Sequence, residues 1–530
     1  MTLLGMHLLG DARSRSIGEA WQARAAASGE LIEPGEPGWI DATDDEVERA
    51  LNLAHAAHRQ GSSADRRAAL LDAIAAAILE LGPALLDRCT RETGLPLARL
   101  EGERARTCGQ LAMFAALVRE GSWVDARIDR ALPDRKPLPR PDLRRMLVPI
   151  GPVIVFAASN FPLAFSVAGG DTASAIAAGC PVVIKAHPSH PGTSELVGEA
   201  MLAAGREVGM PEGWCSLVHG RGHALGRSLV MHRHARAVGF TGSLRGGRAL
   251  MEAAMQRPDP IPVFAEMGAI NPVFLLPGAL EQRAEALADA AAVSITMGVG
   301  QFCTKPGVLV VQRGAAVERF ATRLHERLRA SEPGVMLDAR LLADYRDRVG
   351  ARANALGEEA FAGPQLRAQA QLLRCDARRF LREPELRDEL FGPTSLLVEC
   401  ADEAELLELA DALEGQLASA IHRRQGDADD PAETALAQRL LAILVDRAGR
   451  VIFEGWPTGV EPCAAMQHGG PWPASSEPRS TSVGTAAITR FARPVCFQSI
   501  PQDLLPPELR DANPRGLMRL VEGRPTQDSP

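Results

Sequence analysis

Between residues 146 and 256, short apolar runs alternate with stretches of helical periodicity, and this limits the fold more than any other feature of the chain. Pro152–Phe156, Pro181–Ile184, Ser216–Val218 and Ala237–Phe240 read as buried strands. Ser166–Ala178, Thr193–Val208, Ala224–Met231 and Ser243–Gln256 read as the helices between them. Units of this length imply parallel strands with right-handed crossovers, and hence an α/β, doubly wound sheet of Rossmann type. In such sheets ligands bind beyond the carboxyl ends of the strands.

The flanking sequence has a different character. Residues 44–122 are helical in pattern, with helices over Glu46–His58 and Arg66–Leu81 and a capping-type start at Asp44. Arg127–Arg145 carries four prolines and many charges, which suits an extended arm or edge strand. A second α/β region begins near 267, with helices around 281–299, 316–331 and 402–413 and a strand over Val308–Gln312. The tail from about 497 is rich in proline and charge and is expected to lie over the surface.

A chain of 530 residues is too long for one core at about 100–200 residues per domain, so two or three domains are expected. Lys and Arg total 58 against 66 Asp and Glu, giving a net charge of −8 with the signs interspersed. With no basic block and only 4% aromatic residues, neither nucleic acid nor an anionic membrane is an expected partner. Nine dispersed cysteines without a Cys-x-x-Cys pair argue against a structural zinc site and fit a reducing cytoplasm. Met1–Ile17 lacks a signal-peptide core, and the apolar run Met146–Ala158 is broken by Pro149, Gly151 and Pro152. A cytoplasmic protein is expected.

Several residues have the chemistry of a site. Cys303 sits in Gly298-Val299-Gly300-Gln301-Phe302-Cys303-Thr304-Lys305-Pro306-Gly307, between a helical pattern and a strand pattern. A thiol there is either a cleft nucleophile or a buried structural cysteine. Glu266 is a lone carboxylate in an apolar run, either an edge position or a general base. Lys185 ends a strand at the ligand-binding edge, where a solvated lysine is the plain alternative. Asn160 follows the first strand of the alternating region and is an oxyanion donor or a turn-former. The turn Gly242-Ser243 is either a plain strand-end turn or the start of a helix whose N–H groups hold a phosphate. Glu389-Leu390-Phe391-Gly392-Pro393 is, alone, a helix end. The usual G-x-G-x-x-G fingerprint is absent from the first strand–helix turn.

Taken together and in this order, Asn160-Phe161-Pro162, Lys185, Phe240-Thr241-Gly242-Ser243, Glu266-Met267-Gly268, Gly300-Gln301-Phe302-Cys303 and Glu389-Leu390-Phe391-Gly392-Pro393 resemble the aldehyde dehydrogenase superfamily over roughly 20–523. Phe161–Asp171, Gly300–Gly307, Gly455–Val460, His468-Gly469-Gly470-Pro471 and Arg479–Gly484 look like one branch of it. That branch contains 2,5-dioxovalerate (α-ketoglutaric semialdehyde) dehydrogenases and an NADP-dependent long-chain aldehyde dehydrogenase.

The resemblance implies that Cys303 attacks an aldehyde, that Asn160 and the Cys303 N–H hold the oxyanion, and that Glu266 activates water. It implies that Lys185 and Glu389 hold the two cofactor riboses, with Phe391 beside Glu389 and Gly242-Ser243 at the pyrophosphate. It implies no catalytic metal. Pro188 stands where NAD-preferring members often carry glutamate, and His187, His190 and Arg221 add positive character. NADP is therefore the expected cofactor, with NAD possible. The expected substrate is α-ketoglutaric semialdehyde, the alternative a medium- or long-chain aliphatic aldehyde. Glu266 argues against a CoA-acylating relative, and the presence of Cys303, Glu266 and Asn160 argues against a non-catalytic member. Arg479 is the candidate for the cation a carboxylate substrate needs, and Glu454 departs from the asparagine usual before Gly455-Trp456. The implied segmentation is 1–126 and 146–266 for the dinucleotide-binding domain and 267–484 for the catalytic domain. Residues 127–145 with 485–497 form an oligomerisation arm of a homodimer or homotetramer, and 498–530 form a tail.

Overall fold

The computed structural model describes residues 3–32, 38–361, 363–426 and 430–529. Three large sheets organise them, beside a small two-stranded one of Gly334–Val335 and Arg367–Ala368. The first has seven strands, and its parallel centre is Cys215–Val218, Val182–Lys185, Val153–Phe156, Ala237–Thr241 and Val263–Glu266 in spatial order. Alternate residues of these strands feed two different cores. Val153, Val155, Val182, Ile184 and Leu217 pack on one face against the helices Ala64–Glu80, Leu97–Glu120 and Pro191–Glu207. Ile154, Phe156, Val183, Val218 and Val238 pack on the other against Asp44–Gln60 and His223–Met231. Burial on both faces is why the runs read as continuous β-branched stretches.

The expected strands and helices are present, with small changes at their ends. The first long helix is capped by Thr43 instead of Asp44. Thr43 Oγ1 accepts the Glu46 N–H, and Glu46 accepts the Thr43 N–H at 2.9 Å. A threonine oxygen aimed at the third helical N–H satisfies donors that Asp44, already inside the helix, cannot reach. The N-terminus adds two strands, His7–Leu9 and Ala12–Ser14, beside Cys215–Val218.

The second sheet is parallel and six-stranded, in the order Gln371–Asp376, Thr394–Cys400, Val308–Gln312, Val273–Leu275, Gln416–His422 and Ala448–Phe453. The third joins Ala492–Gln498, Leu143–Pro149, Arg127–Asp129, Arg519–Val521 and Arg524–Thr526. The tail therefore does more than cover the surface, because it contributes the last two strands. Thr485–Phe497, strand-like by sequence, is divided: Thr485–Phe491 is a 3₁₀ helix burying Ala487, Ile488 and Phe491, and the strand begins at Ala492. Among the described residues no single helix is long and apolar enough to cross a membrane.

The chain winds from Val153–Phe156 to one side of the first sheet and then returns to the other. Its switch point lies between that strand and Ala237–Thr241. The register sets Phe156 beside Lys185 and Phe240, and Thr241 beside Glu266. Asn160, Lys185, Gly242 and Glu266 thus meet at one carboxyl edge.

The turn before Cys303 is fixed by backbone geometry. After the helix Pro277–Thr296, Gly298, Val299 and Gly300 take φ of 56°, 59° and 65°. Gly300 also lies against the next segment, so that a Cβ there would meet the Gly392 carbonyl carbon at 2.3 Å and Pro393 N at 2.5 Å. Gly300→Ala is expected to cost about 2–5 kcal/mol, from a left-handed non-glycine residue and an overpacked contact. Thermal unfolding should show it as a fall in Tm of roughly 5 °C or more.

Candidate active site

Cys303, Glu266 and His468 meet between the carboxyl edge of the first sheet and the amino edge of the second. Their Sγ, carboxylate and imidazole atoms all lie within 4.8 Å of one another. Glu266 ends its strand and is bridged to Ser475, which ties it to the loop following Ala448–Phe453. His468 Nε2 stands 3.0 Å from Glu266 Oε2 and 3.5 Å from Cys303 Sγ. Ser482 Oγ donates to the same Glu266 Oε2 at 2.8 Å. Glu266 Oε1 is buried and has no partner among the described residues, so one carboxylate oxygen is anchored and the other is idle.

The charges follow from this packing. Burial pushes the Glu266 carboxyl up, but the neighbouring His468, Ser482 and the Cys303 thiol outweigh it, and the net direction is down. Burial pushes the Cys303 thiol well up, and the Glu266 charge and hydrogen bond push it further. Glu389 adds to that rise, while Arg106 opposes it. The resting site is therefore a thiol beside a carboxylate, with the His468 Nε2–H donating to the carboxylate and facing the thiol.

Asn160 is buried and its Nδ2 donates to the Gln301 carbonyl at 3.0 Å, which leaves one amide hydrogen for another acceptor. The Cys303 N–H has no acceptor among the described residues. Helix Leu97–Glu120 holds the Asn160 loop in place. Glu103 accepts the Leu163 and Ala164 N–H groups at 2.9 and 3.0 Å, and Arg99 donates to the Asn160 carbonyl at 3.3 Å. Phe161, Phe165, Phe302, Val460, Met466 and Val483 form apolar walls near Cys303.

The expected cofactor residues lie along the same cleft. Lys185 is pulled down to about 8 by burial, opposed by Asp41 and helped by Arg340. Arg221 is half-exposed; its backbone N–H donates to Asp41 at 3.0 Å and its guanidinium lies 5.5 Å from the Trp21 ring. Ser243 caps the helix Leu244–Met255, its Oγ accepting the Gly246 N–H at 3.2 Å, and Gly242 N donates to the Glu266 carbonyl at 3.0 Å. Burial pushes Glu389 up to about 7 against the pull of Lys305. Glu389 Oε2 lies 2.0 Å from where a Cβ on Gly268 would be, so Gly268 is the space the carboxylate uses. Phe391 is half-buried beside them.

Three expectations from sequence change. Burial pulls the His187 and His190 imidazoles below their ordinary value, so neither adds positive charge beside Lys185. Arg479 is almost fully exposed and is paired with Glu477 at 2.7 Å, so it supplies no charge to the cleft. Glu454 accepts the Arg423 N–H at 2.9 Å and a Gln425 amide hydrogen at 3.0 Å, and it pairs with Arg283. Its position is thus that of a structural clamp. In the sequence His468 and Ser482 stand only within a branch pattern, and nothing local to them signals these contacts.

The sequence profile of the aldehyde dehydrogenase family matches residues 38–342. The chain is 49% identical to α-ketoglutaric semialdehyde dehydrogenase 2 of Azospirillum brasilense, over 99% of this chain and 100% of that one. The chain belongs to the aldehyde dehydrogenase family. It is an oxidoreductase that acts on aldehydes. Another relative, the α-ketoglutaric semialdehyde dehydrogenase of Acinetobacter baylyi, is 47% identical over 92% of this chain and 93% of that one. Among solved structures, 3,6-anhydro-L-galactose dehydrogenase in complex with NAP superimposes with a TM-score of 0.78 at 22% identity, covering 93% of this chain and 99% of that one. Betaine aldehyde dehydrogenase of Staphylococcus aureus in complex with NAD+ gives a TM-score of 0.77 at 21% identity, covering 94% and 96%. At these identities the likeness shows the fold.

Proposed function

We propose that this aldehyde dehydrogenase oxidises α-ketoglutaric semialdehyde to 2-oxoglutarate, with a nicotinamide cofactor and Cys303 as nucleophile. The cluster of Cys303, His468 and Glu266, with its idle Glu266 oxygen, carries the reaction. The substrate rests on likeness, over nearly whole chains, to relatives named for it.

The Cys303 thiol gives its proton to solvent, and the His468 Nε2–H, which donates to Glu266 Oε2 at 3.0 Å and faces Sγ at 3.5 Å, steadies the thiolate. The Cys303 sulfur then bonds to the aldehyde carbon, and the oxygen gains the negative charge of a thiohemiacetal. The spare Asn160 amide hydrogen and the Cys303 N–H stabilise that oxyanion. The nicotinamide, when bound, accepts the hydride that leaves this carbon. The product is a thioester on Cys303. Glu266 Oε1 takes a proton from water, whose oxygen attacks the thioester carbon, and the acid leaves as the thiol is restored.

The chain's residues fit the cofactor. Lys185 at the sheet edge and Glu389 over Gly268 would hold the two riboses, with Phe391 beside Glu389. The Ser243 and Leu244 N–H groups, at the start of the helix, would meet the pyrophosphate, while the Gly242 N–H is held by the Glu266 carbonyl. We read the preference as NADP: position 188 is proline, and Lys185, Arg221 and Arg340 lie together. Asp41 is their near carboxylate, but its oxygens already accept from Trp21 Nε1 and from the N–H groups of Arg221 and Gly222. We further propose a cytoplasmic homo-oligomer, a dimer or tetramer, built on the third sheet, in which the strand Ala492–Gln498 pairs on only one side among the described residues.

A substrate panel tests the reading. Initial rates on α-ketoglutaric semialdehyde, hexanal and decanal are measured with NAD and NADP, with and without CoA. The expected outcome is 2-oxoglutarate as product, the highest kcat/KM for the semialdehyde with NADP, and no change on adding CoA. A higher kcat/KM for decanal, or a strong NAD preference, overturns the corresponding part.

A further inference from the structure

Helix Leu97–Glu120 presents Arg99, Glu103 and Arg106 on one face, toward Cys303. The first two are committed to the fold. Arg99 pairs with Glu103 at 3.3 Å and lies 4.6 Å from the Phe161 and Phe302 rings, and Glu103 accepts from two backbone N–H groups. Arg106 is different. Its guanidinium carbon lies 5.4 Å from the Phe165 ring and 5.9 Å from the Phe161 ring, inside the apolar walls of the cleft. Its Nε and Nη2 are buried and meet no acceptor among the described residues. These two nitrogens form one edge of the guanidinium, the edge that binds a carboxylate through two parallel hydrogen bonds.

The groups that feel the Arg106 charge are Cys303 first, then Glu103, Glu461 and Glu266. Glu103 and the anchored oxygen of Glu266 are already occupied, and Glu461 is exposed. A second guanidinium, Arg450, also acts on Cys303, but its nitrogens donate to the Gly459 and Pro457 carbonyls. It adds positive field and leaves no edge open. Buried donors without partners are costly, so an idle guanidinium edge beside the nucleophile calls for a ligand.

We propose that Arg106 anchors the far carboxylate of an oxo-acid substrate, while its aldehyde carbon sits at Cys303, and so sets the selectivity for carboxylate-bearing aldehydes. This rests on the reading of the site as aldehyde-oxidising. It deepens that reading by naming the group that recognises the substrate's other end. Phe161 and Phe165 shield the pair from water, which strengthens it and disfavours neutral aldehydes that leave Arg106 unsatisfied.

The test compares wild type, Arg106→Met and Arg106→Lys on α-ketoglutaric semialdehyde and on pentanal. Glutarate binding is followed by calorimetry and Cys303 alkylation by iodoacetamide. The ratio of the two kcat/KM values should fall about 100-fold or more in Arg106→Met. Arg106→Lys should recover part of it, since charge returns without the two-point geometry. Glutarate should bind at least tenfold more weakly to both variants. Equal losses on both aldehydes, with a matching change in alkylation rate, would assign Arg106 to the thiol and overturn the proposal. An unchanged ratio overturns it as well. If Arg106→Met fails to fold, the lysine variant and glutarate affinity decide alone. Absence of any aldehyde oxidation by wild type sinks the underlying reading, an outcome separate from equal losses in the variants.

Discussion

Cys303→Ala is expected to lower aldehyde oxidation by about four orders of magnitude or more, because no other group in the cleft can form the covalent intermediate. The fold and cofactor affinity should persist, since the side chain only lines the cleft. The same thiol should show an unusual pH dependence. Its pKa is raised by burial and by the Glu266 charge, so the thiol form is favoured well past the ordinary value of 9.0. Alkylation by iodoacetamide should therefore keep rising with pH through that value without a plateau. Removing the carboxylate charge takes away part of that rise while burial keeps the rest: Glu266→Gln should lower the Cys303 pKa and speed alkylation at pH 7. Slower alkylation in that variant would instead make Glu266 the base that creates the thiolate. Stopped-flow alkylation against pH distinguishes the two.

Much of the frame around this thiol was legible because the physics there is local. Strands such as Val153–Phe156 and Val182–Lys185 are buried on both faces, which forces continuous runs of branched residues. Cys303, Glu266 and Asn160 were legible as unusual polar residues next to strand ends, and the structure brings the three to one cleft. The partners that tune them were not. His468 and Ser482 lie in a loop without periodicity, and their contacts span 165 residues to Cys303 and 216 to Glu266. Arg106 carried no signal in the sequence, because burial of one helical face against an aromatic wall depends on Phe161 and Phe165 folding over it. The tail strands Arg519–Val521 and Arg524–Thr526 are short and carry arginine and proline. They pair because Arg127–Asp129 offers an open edge nearly four hundred residues earlier in the chain.

Glu266→Gln should separate the two halves of the reaction. Glutamine keeps the size of the side chain and one oxygen to accept from Ser482, but it cannot take a proton from water. Thioester hydrolysis should slow about 10²–10⁴-fold, the usual range for a general base. Forming the thioester on Cys303, by addition to the aldehyde and loss of hydride, does not need that base once the thiolate forms. The first turnover should thus run to completion and then stall, giving a burst of reduced cofactor close to one per site. Mass spectrometry of the stalled enzyme should find the acyl group on Cys303. Adding a strong external nucleophile such as hydroxylamine should restore turnover, because it replaces the water that Glu266 Oε1 no longer activates. A loss of the burst together with the steady-state rate would place Glu266 before the thioester. The idle oxygen would then belong to thiol activation, and the hydrolytic base would have to be sought elsewhere in the cleft.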